Sequence, residues 1–181
     1  MSKDKAIAQL LKVFQQYGYE GATLARLSKA TGLGKASLYH YFPKGKEEMA
    51  LSVLNYIDDW FRANIFAPLQ SSDEPAQRIR GMSKNVDKFY NCGQQACLLA
   101  VLSLGDAKDL FHAQIRQALK AWIDAIAEVL IEAGIERSLA RQRAEDAVLQ
   151  IQGSLVLVRG LGDTAPFERV LERLPKMLLS K

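Results

Sequence analysis

Residues 23–49 read TLARLSKATGLGKASLYHYFPKGKEEM, and the caps, turns and rings of this stretch decide how the chain folds. Thr23 stands before Leu24 and Leu27 as a helix N-cap, and Thr31-Gly32 closes that short helix. A threonine side chain accepts from a first-turn N–H, and glycine takes the left-handed conformation that ends a helix. Leu33 and Gly34 make a tight connection, and Lys35 to Phe42 form a further short helix that stops before Pro43, since the residue before proline avoids helical geometry. Upstream, Ile7, Leu10, Leu11 and Phe14 repeat at helical spacing as far as Tyr17-Gly18, which predicts one amphipathic helix of about four turns. Two short helices joined by a glycine-containing turn, behind a longer one, make a helix-turn-helix.

Leu38 and Phe42 are four residues apart and share the face that meets Leu27 of the preceding helix, so they are the core face. Lys35, Ala36, Ser37, Tyr39, His40 and Tyr41 are left to spread over the rest of a two-turn helix, and they cannot all be buried. Their chemistry suits DNA. A lysine can reach a guanine edge or a phosphate, serine and histidine can bond to bases or backbone, and tyrosine hydroxyls can donate to phosphate oxygens. Gly34 and Ala36 are small enough for the helix start to approach closely, and Thr23 and Lys46 mark the starts of the neighbouring helices, where free N–H groups favour a phosphate. Tyr41 can fall on either side of this divide.

The charge supports the same reading by its position. Residues 1–48 hold eight Lys and Arg against four Asp and Glu, a balance of +4 that equals the net charge of all 181 residues. The remainder is neutral. A basic excess confined to one module is the electrostatic footprint of a nucleic-acid binder, although a solvated charged face gives the same count. Hydrophobic residues make up 49% and charged residues 24%, a globular composition. No apolar run is long enough to span a bilayer and MSKDKAIAQL lacks the apolar stretch of a secretory signal, so a cytoplasmic protein is expected. Cys92 and Cys97, five apart, match neither a zinc pattern nor a CxxC pair and are expected as free thiols. There is no glycine-rich phosphate loop, no paired carboxylates and no nucleophile with a partner, and the histidines are His40 and His112 alone. No catalytic residue, cofactor or metal site is therefore assigned.

Beyond Lys46, a longer helix carries Leu54, Ile57, Phe61 and Ile65 and ends near Ala67-Pro68, followed by a loop at QSSDEP, 70–75. Ile79, Met82, Val86 and Phe89 mark the next helix, and ACLLAVLSL at 96–104, apolar all round, reads as a buried one. Phe111, Ile115, Leu119, Trp122, Ile126 and Leu130 line a long helix that stops at Ala133-Gly134. Ala144, Val148, Ile151, Leu155 and Val158 form one stripe of the helix over residues 138–159. Thr164 and Pro166 open a last helix with Val170, Leu171, Leu174 and Leu178, which Pro175 is expected to kink or break. No period-two strand is visible, so the predicted fold is all-α.

The stretch from Thr23 to Met49 resembles the N-terminal domain of the TetR family of bacterial transcriptional regulators. The shared pattern is a Thr cap, alternating apolar residues, Thr-Gly, a short turn, Leu-Tyr-x-x-Phe and Lys-Glu-Glu. Three positions depart from it: Gly34 replaces the usual Ser or Thr cap, Ser28 replaces a common alanine, and PKGKEE is one residue longer than PxKEE. The longer turn resembles a subgroup often linked to drug export and flavonoid-type control, and it leaves either Lys44 or Lys46 as the phosphate ligand. By matching position, the resemblance implies that Lys35, Ala36, Ser37, Tyr39 and His40 contact DNA in the major groove and that Thr23 and Lys46 contact phosphates. It also implies a helix-turn-helix DNA-binding domain over 1–46 and a helical effector-binding and dimerisation domain over 47–181.

The resemblance further implies a homodimer through the last two helices, with the stripes of Val148, Ile151, Leu155 and Val158 and of Val170, Leu174 and Leu178 as its interface. Intrachain core is the alternative for those stripes. Candidates to line a pocket for a small apolar or aromatic effector are Trp60, Phe61, Phe89, Asn91, Gln95, His112 and Trp122, because a pocket needs apolar walls with a few polar groups. The expected function is that of a ligand-responsive repressor of a palindromic double-stranded operator. Its rivals are an effector-independent architectural or division-control DNA binder and a thiol-based redox sensor using Cys92 and Cys97.

Overall fold

A computed structural model describes residues 2–180 apart from Asp106. Among the described residues every regular segment is helical, as the periodicity predicts. The chain divides into two compact units: residues 1–59 with 97–115, and residues 60–96 with 116–181. A boundary at residue 46 would fall inside the first unit, because Met49, Ala50, Val53, Leu54 and Ile57 bury the apolar face of the helix that follows it.

In the first unit, α1 (Lys3–Gly21) starts at Ser2, whose hydroxyl accepts from the N–H of Lys5 at 3.3 Å. It buries Ala6, Ile7, Leu10, Val13 and Phe14 along one stripe and packs on α2 (Leu24–Thr31) and α7 (Leu98–Leu102). Gly18, at φ 68°, kinks its last turn. Three side chains beside that kink contact other elements of the unit. Tyr17 lies under the Arg26 guanidinium, 4.1 Å from ring centroid to Cζ, and Tyr19 packs edge-on to Phe111 at 5.2 Å. The Glu20 carboxylate accepts from the N–H of Ala107 at 3.0 Å, just ahead of α8 (Lys108–Glu132). α3 (Lys35–Tyr41) and α4 (Lys46–Phe61) complete the helix order at the N-terminal end.

In the second unit α4 runs into a π-helical turn, Arg62–Phe66, and then α5, Ala67–Leu69. The helical run thus ends at Leu69, beside the expected Ala67-Pro68, with the proline inside its last turn. Proline offers no N–H to the carbonyl of Asn64, and Asn85 Nδ2 donates to that carbonyl instead, at 2.6 Å. α6 (Pro75–Phe89) packs on α10 (Ala165–Leu179), which in turn packs on α9 (Arg137–Leu161). Arg78 of α6 is almost fully buried; its Nε donates to the carbonyl of Leu69 at 2.5 Å and its Nη1 to Glu132. It thereby satisfies an orphan carbonyl at the end of α5.

Three expectations are corrected. The run 96–104 is a helix only over Leu98–Leu102, and Leu104 is 71% exposed. Asn91, Cys92 and Gly93 all take positive φ and reverse the chain before it, and Gly105, also at positive φ, follows it. Pro175 does not break α10, which continues to Leu179. Leu174 and Leu178 are fully buried on either side of the proline, and Arg143 Nη1 donates to the carbonyls of Leu178 at 2.9 Å and Ser180 at 2.6 Å. The stripe of Val148, Ile151, Leu155 and Val158, with Leu174 and Leu178, is intrachain core, so these side chains are not free to meet a partner.

Arg78→Ala is expected to lower the unfolding free energy by about 2 kcal/mol, because it leaves a buried carbonyl without a donor. Glu132→Gln, at a carboxylate that is 56% exposed, should cost less than about 1 kcal/mol. Urea denaturation of both variants checks this, and equal losses would show that the ion pair rather than the Leu69 carbonyl sets the cost.

Candidate nucleic-acid interface

α2 is held by a threonine hydroxyl at each of its ends. Thr23 Oγ1 accepts from the N–H of Arg26 at 3.3 Å, and the N–H of Leu27 bonds to the carbonyl of Thr23 at 3.0 Å. At the far end, Thr31 is buried; its hydroxyl donates to the carbonyl of Leu27 at 2.8 Å and accepts from the N–H of Leu33 at 3.3 Å. Ser28 Oγ donates to the carbonyl of Leu33 at 2.5 Å. The serine that departs from the expected alanine is thus a strap across the turn, a role its identity alone did not disclose.

α3 divides as its spacing predicts. Leu38 and Phe42 are fully buried, whereas Lys35, Ala36, Ser37, Tyr39 and His40 are exposed. Gly34 precedes them with no side-chain cap, and Thr23 is exposed at the start of α2. Tyr41, left open by the sequence, is half-buried, its ring edge-on to His40 at 5.9 Å and tilted against Phe42 at 6.4 Å. From Gly21 to Lys46 there is no Asp or Glu, while Arg26, Lys29, Lys35, Lys44 and Lys46 are cationic. Such a run of cationic residues attracts polyanions; the nearest carboxylates in sequence are Glu20, Glu47 and Glu48 at its two ends, and Glu48 is held on the N–H of Lys44.

Lys46 differs from the other candidates. Its side chain is half-buried, its Nζ donates to the carbonyl of Tyr19 at 2.9 Å, and the same ammonium sits 4.3 Å from the Tyr19 ring centroid. Burial raises the Tyr19 pKa, and the carboxylates of Glu47 and Glu20 raise it further; the phenol therefore stays protonated beside the lysine.

In the second unit four of the effector candidates form one aromatic cluster. Trp60 lies 4.7 Å from Phe89 and 5.9 Å from Phe61, and Phe61 is edge-on to Phe89 at 5.2 Å and to Trp122 at 5.3 Å. Phe66, Tyr90 and Phe167 extend the cluster, though no heptad-like spacing links them in sequence. Trp122 is buried with its Nε1 without a hydrogen-bond partner. Asn91 is exposed and its Nδ2 donates to Gln94 Oε1 at 3.2 Å; Gln95 is half-buried. His112 belongs to the first unit and is exposed. Cys92 is an exposed free thiol and Cys97 a buried one. Among the described residues no group of His, Cys, Asp and Glu could hold a metal ion, and no helix is long and apolar enough to cross a membrane.

Residues 6–53 match the model of bacterial regulatory proteins of the tetR family, and residues 75–173 match that of the LmrA/YxaF-like transcriptional regulator C-terminal domain. The chain is 26% identical to the HTH-type transcriptional regulator LmrA of Bacillus subtilis over 98% of this chain and 96% of the relative. It is 26% identical to the biofilm operon icaADBC negative transcriptional regulator IcaR of Staphylococcus epidermidis over 65% of this chain and 61% of that one. The crystal structure of a TetR transcriptional regulator from Legionella pneumophila superposes with a TM-score of 0.83 at 21% identity, covering 97% of this chain and 96% of that chain. The helix-turn-helix, the stretch from Gly21 to Lys46 without Asp or Glu, and both halves of the sequence agree: the chain belongs to the TetR family of transcriptional regulators, with an LmrA/YxaF-like C-terminal domain.

Proposed function

We propose that the protein is a homodimeric repressor that binds a palindromic operator in the cytoplasm and is released by a small apolar or aromatic molecule. The observation that carries this reading is the division of α3, with Leu38 and Phe42 buried and Lys35, Ala36, Ser37, Tyr39 and His40 exposed beside a stretch without acids. Those five residues read the major groove, and Thr23 with a lysine of the 44–46 turn holds the DNA backbone. Residues 1–46 supply the DNA contact and residues 47–181 the effector and dimer contacts. One module neutralises few phosphates, so tight specific binding calls for a second copy.

The outer face of α9 supports that second copy. Leu149, Gly153, Val156, Leu157, Gly160 and Leu161 recur at helical spacing on the side opposite Val148, Ile151 and Leu155. Leu149, Val156 and Leu161 are 69%, 69% and 68% exposed and Leu157 52%, an apolar stripe that water would leave only if another surface covered it. The small Gly153 and Gly160 let a partner helix come close. Beside the stripe, a groove of about 380 Å³ is lined by Leu149, Leu157, Pro166, Val170, Arg169 and Arg173, ready for side chains of the second subunit.

The aromatic cluster of Trp60, Phe61, Phe89 and Trp122 supports an effector with an aromatic or apolar body, and the unpaired Trp122 N–H supports one that also brings an acceptor. Such a molecule can shift the protein away from its DNA-binding state only by binding the other state more tightly. α4 and α8 each begin in the first unit and end in the second, which gives that shift a covalent route to the DNA-reading helices.

Selection of genomic fragments by the purified protein should recover inverted repeats whose half-sites are about 34 Å apart or a multiple of that; recovery without any repeat would sink the palindrome. Leu157→Glu should convert the dimer to monomer in sedimentation velocity and weaken binding to the recovered duplex by at least about 100-fold. Tyr39→Ala should weaken duplex binding while sedimenting as the dimer, and a monomeric Tyr39→Ala would make Tyr39 a folding residue instead.

A further inference from the structure

The turn between α3 and α4 carries two lysines on either side of one glycine, and the structure treats them differently. Gly45 is buried at φ 72°, a conformation that costs L-residues strain. Its N–H donates to the carbonyl of Phe42 at 2.9 Å, its carbonyl accepts from the N–H of Met49 at 3.1 Å, and Glu48 reaches back so that its Oε2 accepts from the N–H of Lys44 at 2.8 Å. The turn is therefore fixed at both ends. A Cβ at position 45 would lie 3.3 Å from Tyr39 Cε1 and 3.9 Å from the Tyr39 hydroxyl oxygen: the missing side chain is the seat on which the exposed Tyr39 ring rests.

Lys46 is already engaged within the protein. Its ammonium satisfies the carbonyl of Tyr19 at the kinked end of α1 and covers the face of the Tyr19 ring. Moving it to a phosphate would leave that carbonyl unpaired and uncover the ring. Lys44 has nothing to give up. Its side chain is exposed and makes no ion pair among the described residues.

We infer that Lys44 and the Tyr39 hydroxyl form the phosphate clamp of this turn, that Gly45 positions the Tyr39 ring within it, and that Lys46 is a structural tie between α4 and α1. This rests on the DNA-binding reading above, and it assigns the additional residue of the PKGKEE turn a purpose: the turn presents one lysine outward while the next is drawn inward.

The test uses the full-length dimer and two fluorescent duplexes, one recovered by selection from a random library and one scrambled. Binding is followed by anisotropy over a salt series. Every phosphate that the protein no longer neutralises lowers the slope of log K against log salt by about 0.9, so Lys44→Ala, which frees one phosphate in each subunit, should flatten it by about 1.8 on both duplexes. Lys44→Arg should restore it. Lys46→Ala should leave the slope as in the wild type and lower the thermal midpoint followed by circular dichroism. Tyr39→Phe and Gly45→Ala should both weaken binding, and Gly45→Ala should do so more strongly, because it displaces the whole ring. A flattened slope in Lys46→Ala with an unchanged one in Lys44→Ala overturns the assignment. Gly45→Ala binding as tightly as the wild type removes the seat. Wild-type protein that binds neither duplex would instead overturn the DNA-binding reading itself, before any variant is compared.

Discussion

The burial of Leu38 and Phe42 is the constraint on which the DNA-reading half depends. α3 is seven residues long, too short to hold its shape alone, and its exposed face carries side chains that gain little from the protein. Two fully buried apolar residues four apart, worth about 2–3 kcal/mol each, fix both the position and the rotation of the helix. Once its rotation is fixed, Lys35, Ser37, Tyr39 and His40 have no choice of face. Lys3, whose ammonium stands 5.1 Å from the Phe42 ring centroid, ties the same anchor to the start of α1.

The elements around that anchor are joined through the last turn of α1. Tyr17 and Gly21 meet Arg26 of α2, Tyr19 meets Lys46 of α4 and Phe111 of α8, and Glu20 meets the N–H of Ala107. One kink at Gly18 thus allows a single short segment to hold the starts of the helices that frame the recognition unit. The polar contacts in it are mostly to backbone carbonyls and N–H groups at helix ends, where an unmade hydrogen bond is costly.

α9 shows the same economy in the second unit, with two apolar stripes on one helix. Ala144, Val148, Ile151, Leu155 and Val158 close the core of the chain, and Leu149, Val156, Leu157 and Leu161 remain outside. Pattern reading assigns an interface to the stronger, more regular stripe, but the stronger stripe is the one the chain itself uses. A helix that is apolar on two sides has one side more than its own fold needs.

Local chemistry was legible in the amino-acid sequence: the Thr23 and Thr31-Gly32 limits of α2, the split of α3, the all-α class and the basic first quarter follow from capping, glycine conformation, 3.6-residue spacing and charge, none of which depends on distant partners. What tertiary structure decided was which of several chemically suited groups was already engaged. Ser28 became a strap because Leu33 comes back to it, and Lys46 was drawn inward because the Gly18 kink leaves the Tyr19 carbonyl within its reach. Pro175 was tolerated because burial of Leu174 and Leu178 and two bonds from Arg143 hold the last turn in place. Spacing along the chain specifies a residue's face on its own helix, but its partner is set by neighbours distant in sequence, and only their packing removes a lysine or a leucine stripe from the surface.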